Sequence, residues 1–130
     1  MKKLFLFFVA IAFSVASFAH SDENWQESDM LKNMQPEDKA ALLMVHFGTS
    51  YDDTRAATID ALNKKAQQEF PQLAFAEAYT SRMIINILGK RGVEKDTPLE
   101  ALLKLRAAGF THIVVQSSNV IDGAEMESLR

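Results

Sequence analysis

The sequence contains no cysteine and only a small excess of negative charge. Without cysteine, the chain cannot be a disulfide-stapled mini-protein, and it cannot bind zinc or an iron–sulfur cluster through thiolates. The formal net charge of −3 lacks the positive footprint of a nucleic-acid-binding protein. Hydrophobic residues make up 48% of the chain and charged residues 24%, which excludes disorder along most of its length. We therefore expect one modest globular domain.

The first 19 residues have the layout of a secretory signal peptide. Lys2 and Lys3 form a positive n-region, residues 4–15 are apolar except for Ser14, and residues 17–19 (SFA) supply the small residues of a cleavage site. The alternative is an uncleaved membrane anchor, but the apolar stretch is shorter than the roughly 20 residues that span a bilayer. We predict cleavage after Ala19 and no membrane attachment of the mature chain.

Residues 20–39 read as a polar leader with one short helix at about 28–33, and the first half of the domain follows it. The apolar run 40–47 (AALLMVHF) predicts a strand buried on both faces of a parallel sheet. Ser50 is placed to cap a helix over 51–69, which Pro71 stops. The stripe predicted to face the sheet consists of Ile59, Leu62, Ala66 and Phe70.

The second half of the domain repeats the alternation of strands and helices. Residues 73–79 predict a strand, and Thr80-Ser81 opens a further helix. Thr97 and Glu100 form a capping box with Pro98 at the first helical position. Residues 111–116 (THIVVQ) predict a third buried strand. This order predicts a three-layer α/β domain with a parallel sheet over 40–130.

Ligands of open α/β sheets bind outside the carboxyl ends of the strands, and small polar residues follow each strand here. The turn after the first strand can hold a carboxylate on backbone N–H groups at a helix start, or it can be a plain capped turn. His46 is the only histidine at such a strand end. It is either a metal ligand or a packed histidine, and alone it cannot form a metal site. His112 lies at the opposite end of its strand.

Acidic residues follow the third predicted strand, namely Asp122, Glu125 and Glu127. In a first helical turn, they would complement the helix dipole without any further role. Alternatively, one carboxylate projects over the strand ends and accepts protons. Their spacing alone does not separate these two interpretations.

Taken together, segments of the chain resemble a known enzyme family. LLMVHFGTSYDDT, AYTSRMI, DTPLEALLKLRAAGF and IVVQSSNVIDGAEME occur in the same order in the anaerobic-type sirohydrochlorin cobaltochelatases, a branch of the class II tetrapyrrole chelatases. The resemblance covers about residues 40–130. It implies a lobe of a two-lobed α/β enzyme that binds a tetrapyrrole between its lobes. The signal peptide resembles that of the exported, periplasmic members.

The activity implied by this resemblance is the ATP-independent insertion of Co²⁺ or Fe²⁺ into sirohydrochlorin, in tetrapyrrole and cobalamin biosynthesis. No cofactor is required, and the divalent metal is a substrate. Carried over residue by residue, Glu125 matches an acidic residue at the active-site edge, and the resemblance implies that it is either the proton acceptor or a carboxylate on the path of the metal. The residues that match the family's substrate-binding loops are Gly48, Thr49, Ser50, Tyr51, Thr80, Ser81, Gln116 and Ser117.

The chain also departs from the family pattern. Asn119 stands where relatives often have histidine, and Phe47 stands where small relatives have a ligand histidine, with His46 one position earlier. The family's main metal ligands are expected in a second lobe that this sequence does not include, so activity would require that half. Small relatives complete their cleft by forming homo-oligomers. The alternatives are an exported tetrapyrrole- or haem-binding module without catalysis, and an inactive remnant.

Overall fold

The computed structural model describes residues 29–119 together with residues 127 and 129. Its strands are β1 (Ala40–His46), β2 (Ala74–Tyr79) and β3 (His112–Ser117), and its helices are α1 (Asp52–Ala57), α2 (Ile59–Glu69), α3 (Arg82–Lys90) and α4 (Pro98–Ala107). The strands are parallel and lie in the order β2-β1-β3. The prediction of an α/β domain with a parallel sheet is therefore confirmed.

β1 lies in the middle of the sheet, which explains why its sequence is apolar without alternation. Every second residue packs against α4 on one face, in a core cluster formed by Ala41, Leu43, Val45, Ala101 and Leu105. The residues between them point to the other face, where Leu42 and Met44 line an apolar groove with Leu62 and Ala66 of α2. The sheet thus has a helix on each face.

Residues that are paired across parallel strands share a face of the sheet. His46 of β1 is paired with Tyr79 of β2, and Met44 is paired with Glu77. All four side chains therefore lie on the face that α2 covers. This register brings a buried carboxylate, a phenol and an imidazole close together.

The capping box predicted for α4 is confirmed. The Thr97 hydroxyl accepts a hydrogen bond from the backbone N–H of Glu100 at 3.3 Å, and the Glu100 carboxylate accepts one from the N–H of Thr97 at 2.8 Å. Pro98 occupies the first turn, where its missing N–H has no intrahelical partner to lose. This local arrangement fixes the start of the helix that covers Ala41 and Val45.

The single helix predicted over 51–69 is wrong, because α1 and α2 are separate helices that meet at Thr58. Thr58 adopts φ −118° and ψ −75°, and its hydroxyl donates to the Thr54 carbonyl at 2.6 Å. A β-branched residue with such a bond competes with regular helix hydrogen bonding. The new direction of α2 buries Ile59 and Asn63 and leaves Leu62 and Phe70 about half exposed.

Other sequence predictions fall at the margins of the described residues. The short helix expected near 28–33 is a turn over 30–33, in which the N–H groups of Lys32 and Asn33 both donate to the Asp29 carbonyl. The predicted signal peptide, Asp122 and Glu125 lie outside the described residues, while Glu127 is exposed. Within the described part of the chain, no helix has the length and apolar character needed to cross a bilayer.

Candidate active site

The loops that follow the three strands meet at the carboxyl end of the sheet, and we call residues 46–51, 79–81 and 116–119 the strand-end edge. Backbone hydrogen bonds join these loops. Thr80 N–H donates to the His46 carbonyl at 2.8 Å, Ser81 N–H donates to the Phe47 carbonyl at 3.2 Å, and Ser118 N–H donates to the Val45 carbonyl at 2.9 Å. The loops therefore form one continuous surface.

Gly48 sits where the first loop crosses the ring of Tyr79. Its φ of +103° is a conformation that residues with a Cβ rarely adopt. An added Cβ would lie 2.6 Å from Tyr79 Cδ2, and the Tyr79 side chain is fully buried. Glycine is needed here for its backbone conformation and also for the close approach of the loop to the ring.

His46 is almost fully buried, with 1% exposure, and both of its ring nitrogens are hydrogen-bonded. Nδ1 lies 2.7 Å from the Ser118 hydroxyl, and Nε2 lies 2.8 Å from Asn63 Oδ1. A metal ligand needs a free nitrogen lone pair directed at the ion. The structure thus places His46 as a buried connecting residue between loops, with neither nitrogen open to a metal.

A series of hydrogen-bonded polar side chains includes His46 and passes beneath α2. We call it the polar chain, and its members are Ser118, His46, Asn63, Glu77 and Lys95. Asn63 Nδ2 donates to Glu77 Oε2, and the Lys95 ammonium donates to Glu77 Oε1 at 2.5 Å. The Lys95 and Glu77 side chains are only 19% and 14% exposed. Because buried charges are costly unless they are paired and hydrogen-bonded, each member of this chain depends on its neighbours.

Tyr79 lies against this polar chain and is itself strongly perturbed. Burial, followed by the negative charge of Glu77, raises the pKa of Tyr79 from 10.0 to about 12. Its ring meets the His46 ring edge-on, with centroids 6.3 Å apart, and Lys95 Nζ lies 5.1 Å from its centroid. Tyr79 therefore keeps its proton across the physiological pH range.

The first loop departs from its predicted cap. Tyr51 occupies the N-cap of α1 without a side-chain cap, and the Thr49 hydroxyl accepts a bond from the Tyr51 N–H at 3.3 Å. Ser50, the predicted cap, instead offers its carbonyl to Arg91 Nη1 at 2.6 Å. Tyr51 is 73% exposed. Thr49 and Ser50 are partly buried.

The second and third loops hold the other residues carried over from the family. Ser81 caps α3 by accepting from the Ile84 N–H at 3.4 Å. Thr80 Oγ1 is buried without a hydrogen-bond partner among the described residues. Ser117 accepts from the Asn119 N–H at 3.0 Å, whereas Gln116 is exposed and lines the apolar groove. Within the strand-end edge, Thr80 and Ser117 lie in the joined loops, whereas the Gln116 side chain lines the groove on the sheet face.

Sequence reasoning missed Ser118, Asn63, Glu77 and Lys95. Asn63 lies one turn after Ile59 on the buried face of α2, and Glu77 interrupts the apolar run of β2. Polar residues at such buried positions signal hydrogen-bonded partners.

His112, at the start of β3, contacts the Thr111 hydroxyl at 2.8 Å. Among the described residues, no three His, Asp or Glu side chains are grouped to hold a metal.

Comparison with known proteins identifies the fold's relatives. The family model for cobalt chelatases (CbiK) matches residues 40–130. A sirohydrochlorin cobaltochelatase of Salmonella typhimurium is 44% identical over 92 residues, which are 70% of this chain and 35% of the relative. The sirohydrochlorin cobaltochelatase CbiKC of Nitratidesulfovibrio vulgaris is 30% identical over 107 residues, which are 81% of this chain and 38% of the relative.

The chain thus spans little more than a third of the length of these curated relatives. The matched region begins at β1 and includes every strand and helix described above. It contains all three loops of the strand-end edge. By this match, which extends over most of its length, the chain belongs to the cobalt chelatase family.

Proposed function

We propose that this chain supplies one wall of the site at which a chelatase inserts Co²⁺ into sirohydrochlorin. The observation that carries this proposal is the convergence of the family-matched loops into one surface around His46. Two relatives that match this chain over 92 and 107 residues are sirohydrochlorin cobaltochelatases. The strand-end edge is also where open parallel sheets bind their ligands.

The chemistry asks little of the protein beyond binding, metal delivery and proton removal. A carboxylate-rich macrocycle needs hydrogen-bond donors, and the first-loop residues Thr49 to Tyr51, which are partly or fully exposed, carry hydroxyl and N–H groups for this purpose. Insertion of the metal releases the two pyrrole protons, which a carboxylate can accept. We propose Glu125 for that role. Co²⁺ is the proposed metal, with Fe²⁺ as a competing substrate, and no resident cofactor takes part.

A chimeric enzyme tests the function without relying on this chain alone. Residues 40–130 replace the aligned segment of the Salmonella relative, and cobalt insertion is followed by the absorbance of sirohydrochlorin. We expect metal insertion by the chimera, and we expect a Glu125→Gln version to be slower by about 100-fold, as for loss of a general base. A folded chimera that binds no sirohydrochlorin would refute the proposed function. An unchanged rate in Glu125→Gln would refute only the role of that residue.

We also propose that the protein is exported to the periplasm. The support is the N-terminal pattern of Lys2, Lys3 and the apolar residues 4–15. Mass spectrometry of the protein from a fractionated bacterial host should find a periplasmic chain that begins at His20. A chain that still begins at Met1 in the membrane or cytoplasmic fraction contradicts this proposal.

A further inference from the structure

We propose that His46 is a positioning residue that holds the Ser118 hydroxyl as a hydrogen-bond acceptor at the strand-end edge. The polar chain runs from Lys95 to Ser118, and each donor in it determines the next. Its distances are those of ordinary or short hydrogen bonds. No member of the polar chain is among the residues that were matched to the family's substrate-binding loops.

The donor-to-acceptor direction of the hydrogen bonds in the polar chain is set at its charged end, by Lys95 and Glu77. The Lys95 ammonium can only donate, and the Glu77 carboxylate beside it can only accept. Of the two ends of the Asn63 amide, only the NH₂ group can therefore face Glu77. The amide oxygen is left facing His46 Nε2 at 2.8 Å. Since an oxygen cannot donate, Nε2 must carry a hydrogen.

The other ring nitrogen of His46, Nδ1, is left to accept a hydrogen bond. His46 is buried, and both groups that touch its nitrogens, Asn63 and Ser118, are uncharged. In a neutral imidazole only one ring nitrogen carries a hydrogen, so with that hydrogen on Nε2 the Nδ1 atom has a lone pair. The hydroxyl of Ser118 then donates to Nδ1 at 2.7 Å. The proton of Ser118 is directed inward, and its hydroxyl oxygen accepts no hydrogen bond from the residues that the structure describes.

This arrangement selects the kind of group that Ser118 can bind. With its proton on His46, Ser118 can accept from an N–H group or from a metal-bound water, but it cannot donate to a carboxylate. Ser118 is half-buried and directly follows β3. Building on the proposed function, we infer that Ser118 faces the pyrrole N–H groups or the hydrated metal rather than the carboxylate side chains of sirohydrochlorin.

The tautomer is measurable on the unaltered 130-residue chain, without any ligand. Long-range ¹H–¹⁵N correlation spectra distinguish a ring nitrogen that carries hydrogen from one that accepts. We expect His46 to show a protonated Nε2 and an acceptor-type Nδ1 at neutral pH. A protonated Nδ1, alone or together with Nε2, would overturn the proposal.

Two substitutions separate the origin of the tautomer from its consequence. Glu77→Gln allows the Asn63 amide to turn over, so His46 should lose its single tautomer, while Glu69→Gln on the exposed end of α2 should not change the spectrum. Ser118→Ala should keep the Nε2–H form, because Asn63 imposes it. An unchanged tautomer in a folded Glu77→Gln chain, or a switched one in Ser118→Ala, contradicts the argued direction.

The ligand contact is tested by absorbance titration of sirohydrochlorin with the chimera described above. Ser118→Ala should weaken binding by about fivefold, the effect expected of one neutral hydrogen bond, without changing the His46 tautomer. Equal binding by the variant and the unaltered chimera would refute the contact. An unaltered chimera that binds no sirohydrochlorin would refute the proposed function, whereas equal binding by the two chimeras refutes only the contact, and the tautomer is decided separately by the spectra of the 130-residue chain.

Discussion

The contact between Gly48 and Tyr79 yields a prediction that can be worked out from distances alone. In Gly48→Ala, the added methyl carbon would lie 2.6 Å from Tyr79 Cδ2, well inside van der Waals contact. The Tyr79 ring is fully buried between Gly48 and the polar chain, so it cannot move away without disturbing His46 and Lys95. The substitution should therefore destabilise the fold through two separate effects.

The first effect is the backbone conformation, because alanine at a φ of +103° is strained by about 1–2 kcal/mol. The second effect is overpacking against a buried ring, which costs about 1–3 kcal/mol. Together they lower the free energy of unfolding by about 2–5 kcal/mol, a large part of the stability of a small domain.

A matched control separates the two effects. Gly92 also has a positive φ, +80°, but a Cβ there would meet no atom within 4 Å. Gly92→Ala should therefore show only the backbone strain, about 1–2 kcal/mol. Urea denaturation followed by circular dichroism measures both free energies, and the difference of about 2 kcal/mol corresponds to about 8–16 °C in Tm for a domain of this size. Equal destabilisation of the two variants would refute the steric argument.

Three further perturbations test the interior and the helix start. Asn63→Ala removes a hydrogen-bond partner from both the His46 imidazole and the Glu77 carboxylate, and it should lower the free energy of unfolding by about 2–3 kcal/mol in urea melts. Asn86→Ala on the exposed face of α3 should change that free energy by less than about 0.5 kcal/mol. Similar values for both variants would contradict the polar chain. Because the pKa of Tyr79 is raised to about 12, its contribution to stability is complete below pH 10 and is lost as pH rises through 12. Ultraviolet titration should show one phenol that ionises near pH 12 or only on unfolding. Ionisation of every phenol at pH 10 in the folded chain would disprove the burial effect. Thr97→Ala breaks the capping box and should cost about 1 kcal/mol, while Thr97→Ser should restore most of it in the same melts; an equal loss in both variants would show that the hydroxyl is not the cause.

The strands and the start of α4 were predictable because their signals are local. The apolar run of β1 reflects its place between two strands, and the Thr97–Glu100 pair supplies its own hydrogen bonds. The division between α1 and α2 was not predictable, because helix propensity continues through it. It depends on how Thr58 bonds to the preceding turn and on which face of α2 the sheet accepts.

The candidate site was predictable only as a location. The strand-end rule placed Gly48, Thr80 and Ser117 at one edge, since every parallel strand ends there. The partners of His46 depend on register and on the angle of α2, and neither quantity is encoded in a short window of sequence. A reader of the sequence alone sees Asn63 as one more polar residue of a surface helix. Its burial beside Glu77 appears only once the sheet is assembled.

His46 contributes its carbonyl to the second loop, one ring nitrogen to the third loop and the other to α2. Any amino acid at this position keeps the carbonyl, but the imidazole bonds two neighbours at once, so substitutions during evolution at this position are constrained jointly with those at Asn63 and Ser118. Across the family, these positions should therefore change as a set, with a small residue at 46 accompanied by apolar or differently bonded residues at 63 and 118. Comparison of family members would then show correlated replacements at positions 46, 63 and 118 rather than one invariant amino acid.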